Sequence, residues 1–168
     1  MNAHRARAGV STLQRLGRRL LLATTFFLLL LPASAPAGFD EGSAAYERGD
    51  YDTAFREFMP LAVAGEPWAQ AMIGTMHESG LGVLQNSTEA AHWYRRSAEQ
   101  SFAASQFRLG VLYATGKGLP RDHAEAVRLF HLAADQGVAQ AQWALGVAHA
   151  GGLGSVVQDF AEAARWYR

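Results

Sequence analysis

The fold is decided by residues 106–137, QFRLGVLYATGKGLPRDHAEAVRLFHLAADQG, which contain two helical patterns separated by a glycine loop. In the first pattern, over residues 105–114, Leu109, Leu112 and Tyr113 recur at helical spacing. Gly116-Lys117-Gly118 follows, and glycine readily adopts the left-handed backbone that ends a helix. A second apolar helical pattern begins at Asp122 and continues to about residue 136. The stretch therefore predicts a helix-turn-helix unit.

The same unit occurs three times at a spacing of 36 residues. The copies share Ile73-Gly74, Leu109-Gly110 and Leu145-Gly146, and also Gly80-Leu81-Gly82, Gly116-Lys117-Gly118 and Gly152-Leu153-Gly154. A shorter helix pair, 42–48 and 52–64, precedes them, and the last copy has one extra residue within 155–158. Such a period is typical of stacked repeats. We predict an all-α solenoid of about 3.5 repeats, with a degenerate unit at 38–65 and repeats at 66–101, 102–137 and 138–168, the last incomplete.

Each second helix begins with an amide or carboxylate residue followed three positions later by glutamate. The pairs are Asn86 and Glu89, Asp122 and Glu125, and Asp159 and Glu162. This spacing predicts a capping box, in which the first side chain accepts from free amides and the glutamate reaches back to the cap amide. Because the pairs recur at every such helix start, a structural role is favoured over paired general acids.

The repeated residues resemble the Sel-one-like repeat family. The resemblance is carried by Ala69, Gly74, Gly80, Gly82, Ala90, Trp93, Tyr94 and Ala98, and again by residues 109–137. It implies a right-handed α/α solenoid related to tetratricopeptide repeats and a role as scaffold or adaptor. Some members are secreted and stapled by disulfides, whereas this chain has no cysteine.

Residues 1–37 resemble a secretory signal peptide. Five arginines precede an apolar run at 20–31, and Ala35-Pro36-Ala37 supplies the small residues of a cleavage site. Twelve helical residues span only about 18 Å, less than the hydrocarbon core of a membrane. We expect cleavage before Gly38 and a periplasmic or secreted protein. An uncleaved membrane anchor is the alternative.

The charge and residue types of the remaining chain argue against several functions. From Gly38 onward there are 10 Lys and Arg against 15 Asp and Glu, a net charge of −5, which disfavours nucleic-acid binding. His77 and His149 occupy the same repeat position as Tyr113, two units apart, and so cannot share a metal. We expect them to hydrogen-bond between helices. No metal, cofactor or catalytic motif is predicted.

Two sets of first-helix residues are candidates for binding a partner. One is a glutamine column, Gln70, Gln106 and Gln142, which would meet a partner's backbone or hydrogen-bond neighbouring helices. The other follows from the resemblance to tetratricopeptide repeats, which implies a concave face formed by Trp68, Ala71, Thr75, Glu78, Phe107, Val111, Ala114, Trp143, Val147 and Ala150. Aromatic residues there would anchor a partner. Alternatively, they form ordinary core between repeats.

The sequence thus favours a non-catalytic scaffold of the bacterial cell envelope that binds protein or peptide on its concave face. The alternatives are a cell-envelope hydrolase acting on peptidoglycan or an antibiotic, and a membrane-tethered assembly factor. The last copy stops at Arg168, directly after Trp166-Tyr167. We therefore expect either a fragment of a longer array or an end that docks on another subunit or on a partner.

Overall fold

A computed structural model describes residues 38–168, and this part of the chain is entirely helical with connecting turns. The eight helices are α1 (Phe39–Glu47), α2 (Tyr51–Ala64), α3 (Pro67–Ser79), α4 (Ser87–Glu99), α5 (Ala103–Thr115), α6 (His123–Asp135), α7 (Ala139–Gly151) and α8 (Phe160–Trp166). Each packs against its neighbours in chain order. The predicted all-α solenoid is confirmed. The predicted signal peptide, residues 1–37, lies outside the described residues.

A glycine in each first helix packs against an aromatic ring from the second helix of the same pair. A Cβ added at Gly74 would lie 2.7 Å from the ring of Tyr94, and one added at Gly110 would lie 2.7 Å from the ring of Phe130. The other two pairs are Gly42 with Phe58 and Gly146 with Tyr167. Since any side chain would displace the ring, glycine sets how closely the two helices approach. Tyr167 stands 37 residues after Phe130, as the predicted extra loop residue requires.

The second glycine of each Gly-x-Gly loop joins one repeat to the previous one. Gly118 has φ of 73° and packs against the backbone of Ser87, where α4 begins. A Cβ would clash with that backbone, which cannot move aside as a side chain can, and the positive φ independently favours glycine. Gly82 and Gly154 make the equivalent contacts on Tyr51 and His123. The repeated glycines therefore fix contacts within and between repeats.

The predicted caps are confirmed, but only half of each predicted capping box forms. The side chain of Asp122 accepts from the amides of Ala124 and Glu125 at 2.9 and 3.0 Å, and Asn86 and Asp159 cap α4 and α8 in the same way. The predicted reciprocal bond, from the glutamate side chain to the cap amide, does not form, and that half of the prediction is wrong. The cap amide of Asp122 instead donates to the carbonyl of Tyr113 at 2.9 Å, which leaves Glu125 free to bind Arg128.

The core follows the repeat pattern. Ile73 and Leu145 of the first helices have no exposed surface, and Leu109 at the equivalent position is also buried. The alanines Ala69, Ala90, Ala126 and Ala141 are buried at the helix contacts. Small residues allow close helix approach, and the leucine-type residues fill the space between. Among residues 38–168 no helix is long and apolar enough to cross a membrane.

Candidate functional site

An apolar groove lies between α5, α6 and α7. Its volume is about 760 Å³, and its main lining residues are Phe107, Val111, Val127, Phe130, Trp143 and Val147. Of the remaining lining residues, only His123 and Gln140 are polar. Its two walls come from the first helices of successive repeats, and α6 contributes Val127 and Phe130 between them. An apolar cleft of this size accommodates a peptide side chain or one face of a helix.

The groove exposes aromatic and aliphatic side chains that are not packed in the core. The side chain of Trp143 is 63% exposed, and Val147 one turn later is 36% exposed. Phe107 is half-buried and tilted against Phe130, with ring centroids 5.9 Å apart. Large apolar side chains that remain open in a concave site are the usual anchors of protein contacts. Phe107, Val111 and Trp143 of the predicted site therefore come together. Phe130, which also lines the groove, was predicted only as part of the apolar stripe of its helix, and Val127 was not singled out from the sequence.

The N-terminal members of the predicted site have different surroundings. Trp68 packs edge-on against Phe39 and Phe58, with centroid distances of 4.6 and 5.4 Å. It also borders a separate depression of about 320 Å³ together with Thr75 and Arg108. Because both neighbouring rings belong to the first helix pair, Trp68 joins that pair to the first full repeat. It corresponds to the core alternative rather than to an open anchor.

Thr75 and Glu78 take part in an internal polar network with Tyr94. The Tyr94 hydroxyl donates to Glu78 at 2.7 Å and lies 3.0 Å from the Thr75 hydroxyl. Burial of the phenol raises the pKa of Tyr94 well above its usual range, and the nearby Glu78 carboxylate adds to that effect. Arg108 approaches Glu78 at 3.9 Å. We call Thr75, Glu78, Tyr94 and Arg108 the polar patch.

Two of the predicted glutamines are unavailable to a partner. Gln70 and Gln106 are almost fully buried. Gln70 donates to the Ala62 carbonyl at 3.1 Å and accepts from Gln100 at 2.9 Å, and Gln106 accepts from Gln136 at 2.8 Å. These bonds correspond to the second alternative for the glutamine column, hydrogen bonding between neighbouring helices, rather than to partner binding. Each glutamine bonds to the C-terminal ends of the second helices that precede and follow it. Gln142 is half-buried on α7.

The histidines do not form the predicted side-chain bonds between helices. The Nδ1 atoms of His77 and His149 are buried and have no hydrogen-bond partner among residues 38–168. At this repeat position the backbone makes the link instead, since the carbonyls of His77 and His149 accept from the cap amides of Asn86 and Asp159 at 2.9 Å. In the described part of the chain no group of three or more His, Cys, Asp or Glu residues is placed to hold a metal ion.

The glycine joints, caps and stacked helix pairs define a helical repeat scaffold. Three Sel1 repeats are recognised, at residues 69–102, 103–138 and 139–168, and the chain belongs to the Sel1 repeat family. Proteins of this family are generally non-catalytic helical scaffolds that mediate protein interactions. The resemblance drawn from the repeated residues is confirmed. No curated protein matches this chain significantly.

Two solved structures share both the fold and substantial sequence identity. A Sel1 repeat protein from Oxalobacter formigenes is 36% identical over 76% of this chain, with a TM-score of 0.71. The protective antigen c5321 of uropathogenic Escherichia coli, which displays an SLR fold, is 33% identical over 77% of this chain, with a TM-score of 0.73. The match covers 52% of the first protein's chain and 28% of the second's.

Proposed function

We propose that this chain is a protein- or peptide-binding module of the cell envelope, without catalysis of its own, and that its partner binds in the apolar groove. The partner inserts apolar side chains between α5 and α7, either from one face of a helix or from an extended segment. Two first helices, α5 and α7, form the walls of the groove, and the resemblance to tetratricopeptide repeats implies that ligands bind on the face of the first helices. The interaction role is the general one in the Sel1 repeat family.

The observation that carries this proposal is the exposure of Trp143. A tryptophan that is 63% exposed in a cavity of about 760 Å³ contributes little to the fold but offers a large area to a ligand. Tryptophan is also the side chain most often found among the dominant contacts of protein interfaces. Phe107 is a second anchor, but its contact with Phe130 means that its removal also affects folding.

The experiment selects binders from a random peptide library displayed on phage, using the immobilised full chain as target. Wild-type protein is expected to enrich peptides with aromatic or aliphatic residues. Trp143→Ala should lower the affinity for the selected peptides by about 30-fold, which corresponds to about 2 kcal/mol of binding free energy, as expected for a dominant interface residue. Affinities are measured by isothermal titration calorimetry.

Leu84→Ala is the matched control. Leu84 is 91% exposed and lies in the loop before α4, away from the groove, so its loss removes a comparable exposed apolar side chain without touching the site. It should leave affinity unchanged. If Trp143→Ala and Leu84→Ala bind the selected peptides equally well, the groove is not the binding site.

We also propose that the protein is exported, because a basic region, a short apolar run and Ala35-Pro36-Ala37 occur in the order of a signal peptide. N-terminal sequencing of the protein from the periplasm of an expressing Gram-negative host should begin at Gly38. A full-length form retained in the inner membrane would instead support the anchor alternative.

A further inference from the structure

The first helices that carry the binding face contain only one positive and one negative charge. Helices α3, α5 and α7 have 13 residues each, and Glu78 and Arg108 are their only Asp, Glu, Lys or Arg residues. Helix α7 has none. Although residues 38–168 carry a net charge of −5, neither wall of the groove contributes an acidic side chain. Arg108 is the single Asp, Glu, Lys or Arg residue on the two helices that form these walls.

The Arg108 guanidinium has few polar partners within the described part of the chain. Its closest carboxylate oxygen, on Glu78, lies 3.9 Å away, beyond hydrogen-bond distance, and half of the Arg108 side chain is exposed. Glu78 is already bound by the Tyr94 hydroxyl at 2.7 Å. No hydrogen bond from the guanidinium to residues 38–168 is formed. Its donors are therefore available to a ligand.

Arg108 lines a second cavity that shares three lining residues with the groove. This cavity, about 490 Å³, is lined by Phe107, Arg108, Val138, Ala139 and Gln140 among others. Phe107, Ala139 and Gln140 also line the groove. A ligand whose apolar side chain contacts Phe107 and Trp143 thus has neighbouring atoms within reach of the Arg108 guanidinium and the Gln140 amide.

We propose that the groove selects a peptide segment in which a carboxylate accompanies the apolar side chain, and that Arg108 binds this carboxylate. The planar guanidinium matches a carboxylate with two parallel hydrogen bonds, which gives orientation as well as affinity. The carboxylate comes from an Asp or Glu side chain or from a free C-terminus. This inference rests on the proposed function of the groove and adds its charge preference.

The test screens random peptides on the full chain in two phage formats, one with a free C-terminal carboxylate and one with that terminus fused to the coat protein. If the carboxylate comes from a side chain, selection on the wild type should enrich apolar residues together with Asp or Glu, even in the fused format. If it comes from the C-terminus, enrichment of apolar residues should occur only in the format with a free terminal carboxylate. Arg108→Gln should lower affinity about tenfold for selected acidic peptides and leave their amide analogues unchanged. Selection on Arg108→Glu should instead enrich peptides that contain Lys or Arg.

The matched control is Arg95→Glu, which makes the same charge change at an exposed arginine on α4 that borders a different cavity. It should keep the wild-type preference, and thermal melting confirms that all variants fold. Apolar enrichment without any carboxylate preference, or a preference that survives Arg108→Glu, overturns this inference and leaves the groove as the binding site. Absence of any enrichment, or enrichment unaffected by Trp143→Ala, overturns the proposed function as well.

Discussion

The polar patch and the apolar groove occupy equivalent positions in successive repeats but differ in chemistry. Where the first full repeat has Thr75 and Glu78, the next has Val111 and Ala114, and the last has Val147 and Ala150. The aromatic ring opposite the helix glycine is Tyr94 in the patch and Phe130 at the groove. In the patch Thr75, Glu78 and Tyr94 bind one another, whereas in the groove Trp143 and Val147 remain exposed.

This difference separates the residues that build the repeat from those that give it a surface. The glycines, buried alanines and caps are equivalent in both regions, so the backbone is the same. The side chains facing outward from the first helices then vary without cost to the stack, as expected when function is carried by a site placed on a common fold. The following predictions test whether the two regions differ as proposed.

The largest expected effect compares two tryptophans on first helices. Trp68→Ala should lower the free energy of unfolding by about 3 kcal/mol, at the low end for aromatic truncation, because Trp68 is only partly buried against Phe39 and Phe58. Trp143→Ala, the same substitution at an exposed site, should change it by less than about 0.5 kcal/mol. Urea denaturation followed by circular dichroism measures both. Equal losses would mean that Trp143 is core and that the groove is closed in solution.

The next effect concerns the first-helix glycine that contacts an aromatic ring in each of the three Sel1 repeats. Gly74→Ala and Gly110→Ala should each cost about 1–3 kcal/mol, because the new methyl group meets a buried ring, Tyr94 or Phe130. Gly146→Ala should cost less, since Tyr167 is 49% exposed and can move aside. Thermal melts of the three variants give the order. A Gly146→Ala variant as unstable as the other two would show that Tyr167 is held more firmly than its exposure indicates.

The fold was predictable from sequence because its determinants are local and repeated. The 36-residue spacing and the caps at Asn86, Asp122 and Asp159 led directly to the observed helices. The reciprocal half of the capping box was wrong because a nonlocal acceptor, the carbonyl of the preceding first helix, competes for the cap amide. Sequence spacing identifies donors and acceptors along one helix but not those supplied by the neighbouring helix.

The candidate site was only partly predictable for the same reason. Phe107, Val111 and Trp143 were placed on one face by the resemblance to tetratricopeptide repeats, and they line one groove. Gln70 and Gln106 recur at the 36-residue spacing, yet both are buried and donate to carbonyls of the preceding helix pair. Arg108 was missed, although its isolation among uncharged first-helix residues is visible in the sequence. Burial depends on the neighbouring repeat, which periodicity within one helix does not describe.

A smaller effect tests the polar patch through Tyr94. Tyr94→Phe removes the donor to Glu78 and should cost about 1 kcal/mol at neutral pH. Because folding raises the pKa of this phenol above its ordinary value of 10.0, the folded state retains the proton longer than the unfolded state. The stabilisation is therefore complete below pH 10 and is lost as the pH rises above it. The stability difference between wild type and Tyr94→Phe should therefore be constant up to about pH 10 and shrink as the pH is raised further. A constant difference would contradict the patch as described.

The smallest effect tests whether the two regions really share one framework. Asn86 begins the second helix of the patch repeat and Asp122 begins that of the groove repeat, and each accepts from two first-turn amides at 2.9–3.2 Å. Asn86→Ala and Asp122→Ala should therefore each cost about 1 kcal/mol. Neither residue lines the groove, so affinity for the library-selected peptides should stay at the wild-type value in both. The matched pair separates framework from surface, because caps act on the backbone, whereas Trp143 acts on the ligand. If Asp122→Ala kept its melting temperature but lost peptide binding, that carboxylate would be part of the site. Equal loss of stability with unchanged binding would place both caps in the common framework.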